Sequence, residues 1–264
     1  MIPNSKLTFR TPNGLPKYPN IVVGGGAGVG KTAFLGSAGP DAKVLIADPE
    51  QGTVSFQSAW FLAQPTSVKQ ENIHVIDFDD VTTSAELVHR VEGALDHLIR
   101  TKNSDGYALF ALDSITEFQE RFIRLHTASD PRQAYGALKE AMHTLTIKAR
   151  QAPVVTIFTA RLRAITDEVS QREMVRPEVS PGVWSVTSGL FDQIGLFDLR
   201  VQGVTARRTL DFSLKPRFPG KDRFGLGEIP DPTMMALLAK LNRDPSDAPV
   251  APARPRPAAA AARR

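Results

Sequence analysis

Residues 25–32 read Gly25-Gly26-Ala27-Gly28-Val29-Gly30-Lys31-Thr32, with Ala33 following. Glycines at this density let the backbone curl until successive N–H groups face one small concavity, which suits an anion carrying several oxygens. Lys31 and Thr32 close the run with an ammonium for the outer phosphate oxygens of a nucleoside triphosphate and a hydroxyl for its Mg²⁺. The apolar stretch 20–24 (NIVVG) precedes the loop and a helix-competent stretch, TAFLGSA, follows it. That order of strand, loop and helix is the context a phosphate loop requires. Binding of ATP and Mg²⁺ through the nine residues from Gly25 to Ala33 is therefore expected.

A metal beside a triphosphate also needs an acid at the end of a neighbouring apolar strand. The run YALFALDS supplies Asp113, where a carboxylate lacking a cation or donors would be expensive to bury. A plainer reading of Asp113 is the N-cap of a helix opening near Ile115, a role compatible with holding the metal. Hydrolysis further needs a group that orients or deprotonates water. The strand KVLIA runs into Asp48-Pro49-Glu50, which makes Glu50 the candidate general base, although an acidic turn after a strand is often only a helix cap. The five histidines, at 74, 89, 97, 126 and 143, show no metal-ligand spacing and read as structural or solvated. With no cysteine in the chain, disulfides, thiol nucleophiles and thiolate metal sites are excluded.

These groups need a scaffold, and short apolar runs alternating with helical patterns of 10–20 residues provide one. Strands are expected near 20–24, 43–47, 73–77, 107–113, 153–159, 194–201 and 208–214, several apolar throughout, as strands covered on both faces must be. A helix over 84–101 opens with Thr83 and Glu86 in capping-box spacing, and another opens at Asp130-Pro131 and runs to about 151. The fold class expected is α/β, a mostly parallel central sheet flanked by helices. Residues 161–190, mixed and proline-interrupted, read as a long loop or irregular insertion. The organisation that follows is a lead segment 1–17, one core over 18–243, and a disordered tail 244–264 rich in Pro, Ala and Arg.

The formal net charge is +4, but residues 248–264 hold four arginines and no acid, leaving 28 basic and 28 acidic side chains in the body. Charge is uneven within that neutral body. Residues 200–223 carry seven basic groups against two acids, and 41–80 carry seven acids against two lysines. Such surfaces favour head-to-tail contact between copies, which closes into rings or runs into filaments. No apolar run approaches the roughly 18 residues that span a bilayer and no secretory signal pattern opens the chain, so a cytoplasmic protein without membrane contact is expected.

Taken in order, GGAGVGKT, ADPEQGT, ALDSIT, VVTIFTARLR and KPRFPGKDRFG, spread over about residues 18–228, resemble RecA-like P-loop ATPases. The likeness is to the short phage-type members that act as ATP-dependent single-strand annealing or recombination proteins. It implies a RecA-like NTPase core with Glu50 as catalytic glutamate. It also implies a homo-oligomer, ring or filament, in which Lys215 and Arg217 reach the neighbour's γ-phosphate. The segment 161–190 would then contact single-stranded DNA, and a single-strand binding protein would be a further partner. Its Arg161, Arg163, Arg172, Arg176 and Trp184 have the right chemistry, cations for the backbone and a flat ring for stacking. Two plainer readings stay open: Trp184 as a core anchor, and Lys215 with Arg217 as basic residues that keep an edge strand soluble. The pattern departs from RecA where a γ-phosphate-sensing amide is expected, since Ala160-Arg161 stands there.

The function implied is ATP hydrolysis coupled to single-strand binding, annealing and homologous recombination in phage DNA metabolism, in the host cytoplasm. A non-hydrolysing, ATP-switched DNA-binding assembly protein and a helicase or AAA+-type DNA motor are the alternatives. An AAA+ loader is disfavoured by the short helix-competent stretch 231–243, and a small-molecule kinase by the lack of a recognisable acceptor site.

Overall fold

The computed structural model describes residues 18–126, 131–166, 173–202 and 205–242. The lead segment 1–17, the tail 244–264 and Arg172 lie outside the described residues. Along the chain come β1 (Asn20–Gly25), α1 (Lys31–Leu35), β2 (Lys43–Ala47), α2 (Ala59–Leu62), β3 (Ile73–Ile76), α3 (Ser84–Thr101), β4 (Tyr107–Leu112), α4 (Ile115–Leu125) and α5 (Pro131–Gln151). The second half adds β5 (Val155–Ala160), β6 (Leu162–Thr166), β7 (Glu173–Pro177), α6 (Pro181–Thr187), β8 (Gln193–Gln202), β9 (Thr205–Asp211), β10 (Lys221–Asp222), β11 (Glu228–Pro230) and α7 (Met234–Leu241).

Nine strands form the main sheet in the order β11-β9-β8-β1-β5-β4-β2-β3, with β10 pairing β8. The six strands from β8 to β3 pair in parallel, while β9, β10 and β11 join antiparallel. The expected mostly parallel α/β architecture is thus present. All of β1 and β5 is buried, which is why both are mainly apolar instead of alternating, with Asn20, Thr156 and Thr159 as their buried polar residues.

Two apolar layers sandwich the sheet. One joins Leu87, Val91 and Leu95 of α3 to Phe118 of α4, Leu138 and Met142 of α5, and Val183 of α6. The other joins Phe34 and Leu35 of α1 to Phe61 of α2 and Met234 and Leu237 of α7. Each such side chain, fully removed from water, contributes about 1.5–3 kcal/mol, enough that facing this stripe inward decides the helix's orientation. At the start of α3, Thr83 Oγ1 accepts from the Glu86 N–H at 3.1 Å, so the capping signal in the sequence is realised.

Two expectations need correction. The described part of 161–190 is not an irregular loop: β6 and β7 pair antiparallel, followed by α6. Both strands are partly exposed on each face, so no apolar alternation marks them, and only their mutual pairing defines them. Ser180-Pro181 did carry the signal for α6, because proline at the first helical position is pre-organised for a helix. The last long strand runs over Thr205–Asp211, earlier than 208–214, because the polar Thr205-to-Arg208 stretch pairs with the exposed end of β8. Among the described residues no helix is long and apolar enough to cross a membrane.

Candidate nucleotide site

Parallel pairing brings the C-terminal ends of β1, β2, β4 and β5 to one edge of the sheet, the usual place for a ligand crevice in such folds. From β1 emerges the phosphate loop, with Gly28 at φ 72° and Gly30 at φ 104°, both left-handed conformations that glycine adopts without strain. Lys31 Nζ donates to the carbonyls of Gly25 and Gly26, each at 2.9 Å, so its long side chain folds back along the loop. Burial lowers the Lys31 pKa, with Asp113 and Glu50 pulling in the opposite direction.

Thr32 Oγ1 donates to Asp113 Oδ2 at 2.6 Å, and Thr159 near the end of β5 donates to Asp113 Oδ1. Burial pushes the Asp113 carboxyl up to about 6, despite the hydrogen bonds from Thr159 and Thr32 that favour its ionised form. A cation beside it would complete that compensation. The donor set fits Mg²⁺, a hard ion that takes one or two carboxylates and fills its remaining positions with water and substrate phosphate. Thr32 and Asp113 are the residues that would hold it. Among the described residues no cluster of three or more His, Asp or Glu could hold a metal.

The capping work beside the two acids falls to their neighbours. Ser114 caps α4, accepting from the Glu117 N–H at 3.3 Å, so Asp113 is not the cap. In the turn after β2 it is Asp48 that takes the structural work, accepting from the backbone N–H groups of Gly52 at 3.0 Å and Thr53 at 2.8 Å and from the Thr53 hydroxyl at 2.6 Å. Glu50 is left exposed, and its Oε2 accepts from Ser114 Oγ at 2.8 Å. The base candidate is therefore linked to the residue directly after the metal candidate.

Two contacts were invisible to sequence spacing. Arg208, on β9, donates from Nε to the Val29 carbonyl at 2.9 Å and lays its guanidinium 5.7 Å from the centroid of the Trp60 ring. It thereby fastens β9 to the tip of the phosphate loop. Thr159 is the second, and both lie too far along the chain from their partners for any local pattern to announce them.

The remaining candidates spread out. Arg161 leaves β5 beside the site, where its Nε meets Glu178 Oε2 at 3.1 Å and its Nη2 meets Glu120. Arg163 is exposed and stands directly opposite the half-buried Arg176 on the hairpin. Trp184, half-buried on α6, packs against the core, in keeping with its reading as an anchor. Lys215 and Arg217 fall in a turn after β9, not on an edge strand. Lys215 pairs with Asp211, while Arg217 is exposed and its carbonyl accepts from the Val175 N–H at 2.7 Å. Within the described residues no hydrogen bond or ion pair joins either side chain to Lys31, Thr32, Glu50 or Asp113.

The basic cluster over 200–223 is also less available than its charge suggests. Arg200 pairs with Glu228, Arg207 with Asp231, Arg223 with Asp192, and Lys221 caps carbonyls at Ser188, Gly189 and Phe191. With Lys215 and Arg208 also engaged, Arg217 is the one member of the seven whose side chain has no partner among the described residues.

No curated protein matches the chain. Among solved structures it is similar to a KaiC-like protein from the hyperthermophilic archaeon Pyrococcus horikoshii OT3, at 16% identity and a TM-score of 0.41, over 75% of this chain and 79% of that one. Residues 17–224, most of the chain and the whole of the site just described, match the family model for an AAA domain. The chain belongs to the AAA domain family.

Proposed function

We propose that this protein is a RecA-like ATPase that couples its nucleotide cycle to binding and annealing of single-stranded DNA, as in phage recombination, and that it works as a homo-oligomer. In this reading the phosphate loop and Lys31 hold the ATP phosphates, and Thr32 and Asp113 hold the metal. Glu50 takes a proton from the attacking water. Bound Mg²⁺ would neutralise charge that develops on the phosphate oxygens.

The observation that carries the reading is the direct continuity between site and hairpin. Thr159 bonds Asp113, and β5 then passes through Arg161 into the β6–β7 hairpin. The base of that hairpin rests on the phosphate-loop strand: a Cβ at Gly24 would lie 2.7 Å from Leu162 Cδ2. Farther out, Arg163 faces Arg176, and like charges directly opposite each other destabilise a strand pair. Arg176 Nε, moreover, is buried without a hydrogen-bond partner. A phosphodiester between the two guanidinium groups would relieve both costs. Arg161, already held by Glu120 and Glu178, is better suited to link the hairpin to the site than to bind DNA itself.

Assembly is supported by geometry as well as charge. The acidic residues 41–80 include β2 and β3 at one end of the sheet, and Arg217 follows β9 near the other. Copies stacked head to tail would bring Arg217, whose side chain has no partner among the described residues, toward a neighbour. Lys215 would first have to leave Asp211, so Arg217 is the stronger candidate for a residue acting in trans.

Replacing Arg163 and Arg176 together with alanine should weaken binding to labelled single-stranded DNA. The slope of log affinity against log salt should shrink by about 0.7, the value for one lost phosphate contact on a single strand. Binding of ATP should be unaffected. An unchanged affinity and slope, measured by fluorescence anisotropy across a salt series, would exclude the hairpin as the DNA surface.

A further inference from the structure

Glu50 is exposed, so packing does not fix its side chain. Holding a free glutamate in one rotamer costs side-chain entropy, and a general base is useful only within hydrogen-bond reach of its water. Ser114 restrains the carboxylate itself. A second restraint acts on the backbone. Arg121, on α4, donates from Nη1 to the Pro49 carbonyl at 3.2 Å and from Nη2 to the Phe78 carbonyl at 2.8 Å. The Pro49 carbonyl belongs to the peptide that leads into Glu50. One planar guanidinium thus ties that peptide to the segment following β3, using the fixed fork of donors that a lysine lacks.

The surroundings favour this role over an ordinary ion pair. Arg121 is half-buried and its hydrogen bonds go to main-chain carbonyls, whereas its neighbour Arg124 takes Glu117 at 2.7 Å. Arg121 and Glu50 also line one cavity of about 540 Å³, shared with Gln51 and Glu117, so the loop borders open space on the side that Arg121 spans. We propose that Arg121 is a positioning residue for Glu50, acting through the 49–50 peptide and not through the nucleotide. The proposal rests on Glu50 as the general base.

Five proteins test it: wild type, Arg121→Ala, Glu50→Gln, the double variant of these two and Arg121→Lys, each assayed for phosphate release from ATP with single-stranded DNA present. Arg121→Ala should lower kcat about 10-fold to 100-fold, the scale expected when a catalytic group is misplaced by about 1 Å, with KM nearly unchanged. Added guanidinium ion should restore part of the loss. In the Glu50→Gln background the same substitution should cost nothing further, because a residue that acts through Glu50 has nothing left to position. Multiplicative losses in the double variant, or an unchanged kcat in Arg121→Ala, would overturn the proposal. Arg121→Lys, which keeps the charge and most of the packing, should fold as wild type by thermal melt yet stay slow; full activity in it would also overturn the idea. If Glu50→Gln turns over at the wild-type rate, the general-base reading fails and this proposal falls with it. If Glu50→Gln is slow and Arg121→Ala is not, only the proposal fails.

Discussion

Lys31→Ala is expected to cut turnover of ATP about 100-fold to 1,000-fold. The ammonium is the one cation placed inside the phosphate loop, and its two hydrogen bonds at 2.9 Å are to carbonyls of the same loop. Those carbonyls are acceptors that a phosphate oxygen can replace, so the charge is available to a triphosphate without breaking an ion pair. Burial, which lowers its pKa, also strips part of its hydration, and a desolvated charge interacts more strongly with an anion than a solvated one. Removing one preorganised electrostatic donor to a transition state typically costs about 100-fold to 1,000-fold in kcat. A loss of that size, with the fold intact by circular dichroism, is the expected outcome of a phosphate-release assay. A variant turning over at the wild-type rate would remove the phosphate-loop assignment.

Glu50→Gln should separate binding from chemistry. A glutamine in the same place can still accept a hydrogen bond from Ser114 through its amide oxygen, so the loop geometry that places residue 50 is retained while its basicity is lost. ATP affinity should stay within about twofold of wild type. Hydrolysis should fall about 100-fold to 10,000-fold, the usual contribution of a positioned general base. Single-turnover measurements on the pre-formed ATP complex distinguish the two effects; a rapid single turnover would show that the exposed carboxylate of Glu50 takes no part in the chemistry.

Legibility in the sequence followed the distance over which each feature is encoded. The phosphate loop is contiguous, so its residue types and flanking elements could be read directly, as could the apolar strands that present Asp113 and Glu50. The choice between cap and catalytic roles for those two acids could not, because it turns on which neighbour does the capping. Ser114 and Asp48 relieve Asp113 and Glu50 of that work through hydrogen bonds whose geometry no spacing specifies. Arg208, Thr159 and Arg121 act on residues 179, 46 and 72 positions away and were not visible as parts of the site at all. The same limit made the cations over 200–223 look free, when among the described residues acids and carbonyls brought in by the sheet engage all but Arg217. The hairpin at 162–177 was missed for a different reason: both its faces are partly wet, so pairing and not burial defines it.

Phosphate release from ATP by the wild-type chain, with and without single-stranded DNA over a salt series, bears most directly on the coupling of nucleotide site to hairpin. The expected result is stimulation by DNA at low salt that fades as salt rises, since contacts to phosphates release fewer counterion-driven gains in concentrated salt. A rate that is the same with and without DNA at low salt, under conditions where DNA is bound, would contradict it.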